Sequence, residues 1–192
     1  MKHFTHSYHQ QVVRHGQIEA NTWRVFSSTA LEPSQSLLPP DEDGWLVSVS
    51  LWRQHHKTLR RRKFPVGIVL RANDVPADLV HPPATQIDPS GIALITVDFP
   101  AHNDCRGYAF AQLLRGKYGW AGELRASGDV IVDSLHRLSC VGFTSFALNI
   151  NQDCVIAVRA LDRFAPRGCG TAIARSILRN AQSKQTGSTP TA

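Results

Sequence analysis

The sequence predicts an α/β domain. Its sheet is mostly parallel, built from βαβ units as an open sheet or a partial β/α barrel, with an N-terminal β-rich segment. Three observations carry this. Short apolar runs without alternation, Val66-Gly67-Ile68-Val69-Leu70 and residues 92–97, read as strands covered on both faces. Segments with helical spacing alternate with strand-like runs over residues 92–164. The 192 residues suffice for one domain with a proper core, but a complete eight-unit barrel takes about 250.

Residues 1–16 are polar and histidine-rich and read as a leader, with one domain over 17–165 and a C-terminal extension over 166–192, partly helical and then disordered. Gln11-Val12-Val13-Arg14, His15-Gly16 and Gln17-Ile18-Glu19 have the form of a small hairpin. Trp23 to Phe26 continue in strand-like fashion, and residues 27–44 read as a loop. Residues 45–62 read as a helix ending in a basic run. Residues 104–118 read as another, with Phe110, Leu113, Leu114 and Tyr118 on one face, stopped by Gly119 and Gly122. Glu123 to Ala126 form a short strand. After the turn Ser127-Gly128-Asp129 comes a helix with Ile131, Leu135 and Leu138 aligned, closed by Gly142. Ser145 to Leu148 are the next strand, and residues 151–164 a third helix with Cys154, Val158 and Leu161 on one side.

Composition narrows the class. Hydrophobic residues make up 42% and charged residues 19%, ordinary globular usage. No run approaches the about 18 apolar residues of a membrane helix, and residues 1–6 lack the apolar core of a secretory signal. A cytoplasmic protein is the expectation. Cys105, Cys140, Cys154 and Cys169 match no zinc or cluster spacing and are read as thiols, so no metal site is assigned. The net charge of +6 is partly local, in Lys57, Arg60, Arg61, Arg62 and Lys63. Without interleaved aromatics this run reads as a solvated helix end rather than a nucleic-acid reader.

Chemistry-bearing motifs are few. There is no Walker loop. Gly168-Cys169-Gly170 follows no strand and lacks the acidic residue about 20 positions on that a dinucleotide fingerprint needs. His3, His6 and His9 are spaced by three but sit in the polar leader. No redox cofactor is identifiable. The informative stretch runs from Gly122 to Val130. A strand ends, Ser127-Gly128 turns, and a helix start near Asp129 would offer free amides and a positive dipole end to an anion. Arg125 shares a strand face with Glu123; Asp98 ends the preceding strand and Arg106 begins the following helix. Asp98, Arg106, Arg125 and Asp129 are therefore the catalytic candidates, and Arg106, Arg125, Ser127, Gly128 and Asp129 the candidate oxyanion site. A structural ion network is the competing reading. The dipole and one arginine fork supply about 2–4 kcal/mol, which gives roughly millimolar affinity.

Phe99-Pro100, Asp104, Arg106-Gly107-Tyr108, Leu113-Leu114-Arg115 and Tyr118-Gly119 carry a resemblance, extended by Gly122 to Ala126, Gly128-Asp129-Val130, Asp133, Leu135, Gly142-Phe143 and Phe146. On these residues the chain resembles domain-of-unknown-function family 934, over roughly residues 17–165. Members carry the label of oxidoreductases involved in sulfite reduction and sit beside sulfite reductase genes. The chain departs from the family pattern at His102, Cys105, Ala109, Ser134, Cys140 and Ala147. The resemblance implies a place in sulfate and sulfite assimilation, with sulfite reductase or another protein of that pathway as partner. Three function classes follow. The first is an accessory to sulfite reductase. The second is a small enzyme acting on an anionic sulfur or phosphate compound at the carboxyl edge of the strands. The third is a nucleic-acid-binding protein using the basic run.

Overall fold

A computed structural model describes residues 10–27 and 37–164. The hairpin forms as the sequence predicts: β1 (Gln11–Arg14) and β2 (Gln17–Ala20) pair antiparallel. His15 and Gly16, with φ of 52° and 74°, make the tight turn between them. Then come β3 (Arg24–Val25), β4 (Trp45–Ser48), α1 (Val49–Leu59), β5 (Val66–Leu70), a 3₁₀ turn at Pro76–Leu79 and β6 (Ile92–Phe99). The second half holds α2 (Arg106–Gln112), a π turn at Leu113–Lys117, β7 (Glu123–Gly128), a 3₁₀ turn at Val132–Ser134, α3 (Leu135–Cys140), β8 (Ser145–Phe146) and α4 (Cys154–Phe164). Among the described residues no helix is long and apolar enough to cross a membrane.

The eight strands form one curled half-barrel in the order β2-β1-β8-β7-β6-β5-β4-β3. β3 to β8 run parallel, each beside its sequence neighbour, while β1 joins β8 antiparallel. The helices pack together against one face of the sheet. That face holds the main core. Val47, Ile68, Ile95, Val97, Leu124 and Ala126 pack there with Trp52, Leu59, Leu114, Leu135, Leu138 and Ala157. Side chains alternate across a strand, so the intervening residues line the inner face. Its β3–β6 half is apolar: Leu46, Val69 and Leu94 cluster with Trp23 and Val25. Gly67 makes room for this layer, since a Cβ there would stand 2.4 Å from the Leu46 side chain and 3.1 Å from the Trp23 ring.

The structure corrects four expectations. Residues 45–48 are strand, not the first turn of a helix. Leu46, Val47 and Ser48 pair with Gly67, Ile68 and Val69, and α1 starts only where the Ser48 hydroxyl accepts from the Leu51 amide. Residues 11–14, placed within the polar leader, are a strand of the sheet, with Val12 and Val13 fully buried. The helix expected directly after Asp129 begins later, as a three-residue 3₁₀ turn at Val132. β7 runs on to Gly128 in register with Phe99, and Ile131 is still extended. On the α2 side Leu114 and Tyr118 are buried but Leu113 is exposed, because the π turn rotates that last stretch and carries Arg115 inside. The C-terminal extension, the Gly168-Cys169-Gly170 turn and His3, His6 and His9 lie outside the described residues.

Arg115 is the internal tie this rotation creates. It is buried with no carboxylate partner among the described residues and donates to backbone carbonyls instead. Nε and Nη2 reach Gly142 O at 3.0 and 2.8 Å; Nη1 reaches Trp120 O and Gly122 O at 2.6 and 2.8 Å. Burial lowers its pKa to about 10, so it stays protonated at neutral pH. The Arg115→Met substitution would strand two buried carbonyls, of Trp120 and Gly142, and the part-buried one of Gly122, at about 1 kcal/mol or more each. We expect it to lower unfolding free energy by about 3 kcal/mol in urea denaturation, with Arg115→Lys recovering less than half. A loss under about 1 kcal/mol in Arg115→Met would show that water replaces the guanidinium there.

Candidate functional site

The polar half of the inner face is built on β7. Because side chains alternate, Glu123, Arg125 and Ser127 share that face. Arg125 is 5% exposed. Its Nε and Nη2 donate to Glu123 Oε1 at 3.1 and 2.7 Å, Nε also to Ser145 Oγ at 3.2 Å, and Nη1 to Asn21 Oδ1 at 3.1 Å. Glu123 Oε1 accepts from the Ser145 hydroxyl at 2.6 Å, and Oε2 from Arg14 Nη1 at 3.1 Å. Burial pushes the Glu123 carboxyl up. Arg125, the Ser145 hydroxyl and Arg14 outweigh that and hold it below its usual range. The network thus ties β1, β7, β8 and the Asn21 turn together.

At the carboxyl edge Asp98 lies in register with Ser127 and Phe99 with Gly128. Thr96 Oγ1 donates to Ser127 Oγ at 3.0 Å. Gly128 has φ of 90°, and a Cβ there would lie 2.3 Å from Phe99 O and 2.7 Å from Asp98 Oδ1, so only glycine fits. Asp129 then gathers two loops. Its Oδ2 accepts from the His102 amide at 3.0 Å and faces His102 Nδ1 at 3.2 Å; its Oδ1 accepts from Asn149 Nδ2 at 2.5 Å. The Asn149 amide leads in holding the Asp129 carboxyl below its ordinary value, against a desolvation cost and with help from His102. Arg106, at the start of α2, clasps Asp104 through Nε at 3.0 Å and Nη2 at 2.6 Å, and Asp104 also caps the Arg106 amide at 2.9 Å.

The candidates divide accordingly. Asp98, Ser127, Gly128 and Asp129 meet at one edge, and Arg106 stands on the loop-helix junction that follows β6 there. Arg125 lies two residues deeper, opposite Thr96, with its guanidinium committed to Glu123, Ser145 and Asn21. Two amides near the turn are engaged too. The Asp129 amide donates to Phe99 O at 2.8 Å and the Val132 amide to Gln152 Oε1 at 3.0 Å. His102 and Asn149 were not among the sequence candidates. Their signal was position alone, in loops leaving the carboxyl ends of β6 and β8. Among the described residues no three His, Cys, Asp or Glu side chains group to hold a metal. Cys105 is an exposed free thiol and Cys154 a buried one.

Breaking the inner-face pair gives a pH signature. Arg125→Met leaves the Glu123 carboxylate buried without its main counter-charge, which costs about 3–5 kcal/mol at pH 7. In the variant Glu123 takes up a proton at higher pH than in the parent. The unfolded chain then binds fewer protons than the folded variant over that range, so the difference between variant and parent shrinks as pH falls below 7. Denaturation at pH 7 and pH 5 checks this; an equal difference at both values would remove Glu123 as the stranded partner.

Comparison with known proteins gives one match. The family model described as "Bacterial protein of unknown function (DUF934)" matches residues 67–172. No curated protein and no solved structure matches.

Proposed function

The chain belongs to the DUF934 family of bacterial proteins of unknown function, and from that premise we propose that it is an accessory protein of assimilatory sulfite reduction. It acts in the cytoplasm by binding sulfite reductase, not by turning over a substrate itself. The observation that carries the reading is the neutralisation of both candidate arginines within the chain. Asp104 chelates Arg106, and Glu123 chelates Arg125. Each carboxylate occupies the Nε–Nη2 edge of its guanidinium, so an oxyanion could take that bidentate edge only by displacing it. The rim beside it favours a protein partner: Ile150 is 68% exposed, and Val155 and Ile156 at the start of α4 are also exposed. The sulfur-assimilation setting rests on the family resemblance.

A second reading keeps the carboxyl edge as a small enzyme site for an anionic sulfur or phosphate compound. One observation favours it. Asp129 orients the His102 imidazole through Nδ1, the arrangement that leaves Nε2 to take or give a proton. The basic run gives the nucleic-acid reading less support, since Arg60 pairs with Asp88 at 3.0 Å and Arg62 with Asp41 at 3.3 Å.

Growth of a deletion strain separates these readings. The accessory role predicts growth on sulfide or cysteine but not on sulfate or sulfite, and retention of sulfite reductase on the tagged protein from the complemented strain. It also predicts that His102→Ala restores growth as well as the parent gene does. Unimpaired growth of the deletion strain on sulfite would sink the sulfite assignment. Failure of stably folded His102→Ala to complement would favour the enzyme reading.

A further inference from the structure

The β5–β6 crossover differs from those before and after it, because only the short turn Pro76–Leu79 replaces a helix on the outer face. Its apolar anchors are Leu79, fully buried, and Ile87, 6% exposed, whose amide donates to Tyr118 O at 2.9 Å. Between them the chain lies against the C-terminal half of α1. There the rings of His56 and His81 stack face to face, with centroids 3.7 Å apart and planes 18° from parallel. Nε2 of His81 is buried and has no hydrogen-bond partner among the described residues. His56 is fixed from the other side, with Nδ1 3.2 Å from Arg53 O.

We propose that the His56–His81 stack is an acid-sensitive latch that holds residues 80–86 on α1 near neutral pH and releases them in mildly acidic solution. Two neutral imidazoles stack without electrostatic cost, whereas a proton on His81 sets a cation against the face of a second titratable ring. It also buries an N–H that has nothing to donate to. The charges around the pair reinforce this. α1 presents Arg53, His56 and Arg60, while the crossover presents Asp78, paired with Arg53 at 3.5 Å, and Asp88, paired with Arg60 at 3.0 Å. Asp88 is the carboxylate that opposes the change, and Arg60 already holds it. Burial, then His56 and Arg60, pushes the His81 imidazole below its ordinary value, with Asp88 pulling the other way. Hydrogen bonds from Ser90 keep the Asp88 carboxyl below its usual range, so it stays ionised in mild acid.

The sign follows from linkage. The released segment binds the proton more readily than the latched one. The latch is therefore intact above the ordinary imidazole pKa of about 6.5 and weakens as pH falls from there towards the lower value of the stacked ring. With one proton taken up on release, the open-to-closed ratio rises by up to about tenfold per pH unit inside that window.

Hydrogen exchange on the full chain at pH 7.5, 6.5 and 5.5, corrected for intrinsic rates, tests this. Protection of the Val80 and Ala84 amides, which donate to Ala77 O and His81 O at 3.0 Å each, should fall several-fold between pH 6.5 and 5.5, while amides in β6 hold theirs. His81→Phe keeps an aromatic ring in the stack and removes its titration, so its protection should be flat across the same range. NMR titration of the parent His81 ring provides a reading that does not depend on the variant folding. Its midpoint should lie below about 6.5, in the range where the segment opens. Unchanged protection of the Val80 and Ala84 amides in the parent at pH 5.5, a His81 midpoint at or above the ordinary value, or an undiminished pH slope in His81→Phe would each overturn the latch.

Discussion

Arg125 is a guanidinium set into the inner floor of a curled sheet, 5% exposed, and such a charge is tolerated only with a carboxylate and hydrogen-bond acceptors in contact. Glu123 supplies the carboxylate from the same strand face, two residues away. Much of the polar half of the molecule follows from this demand. Ser145 is drawn in from β8, Asn21 from the turn after β2, and Arg14 from β1 to neutralise the remaining Glu123 oxygen. The antiparallel hairpin is thereby clamped to a sheet that is otherwise parallel. On the other side of β6, where no charge enters the floor, Leu46, Val69 and Leu94 close against Trp23. The half-barrel has a wet-chemistry half and a dry half, and the border runs along β6 from Leu94 to Thr96.

Local signals in the chain reached as far as single elements. The His15-Gly16 turn was legible because a two-residue, glycine-containing break between two strand-like runs is a hairpin signal, and the structure gives both residues positive φ. β5 and β6 were legible because an uninterrupted apolar run must be covered on both faces. β4 was not: Trp45-Leu46-Val47-Ser48 runs into Val49-Ser50-Leu51-Trp52 without a break in hydrophobicity. The boundary depends on one capping hydroxyl, that of Ser48. The delayed start of α3 was hidden for a related reason. Whether β7 stops at Ala126 or Gly128 depends on pairing with Asp98 and Phe99, which is a long-range fact.

The candidate site was legible in part, and the missing part was direction. Alternation put Glu123 and Arg125 on one face, and the positions of Asp98, Ser127 and Asp129 at strand ends put them at one edge. Sequence order does not say which way a guanidinium turns. Arg125 turns away from the edge towards Ser145 and Asn21, and Arg106 turns back onto Asp104. His102 and Asn149 became visible only once Asp129 was seen to hold both loops. The carboxyl edge therefore presents a carboxylate-centred clasp flanked by the exposed aliphatic side chains of Ile150, Val155 and Ile156.

The claim that both arginines are already neutralised is the one on which the functional reading turns, and it can be measured directly. Sulfite, sulfate and phosphate are titrated into the isotopically labelled full chain at pH 7 while NMR follows the amides of residues 127–130 and the Nε–H resonances of Arg106 and Arg125. The account predicts no saturable shift at several millimolar of any of the three. A saturable shift of the Gly128 and Asp129 amides together with either arginine Nε–H would contradict it, because an oxyanion would then have displaced Glu123 or Asp104 from its cation.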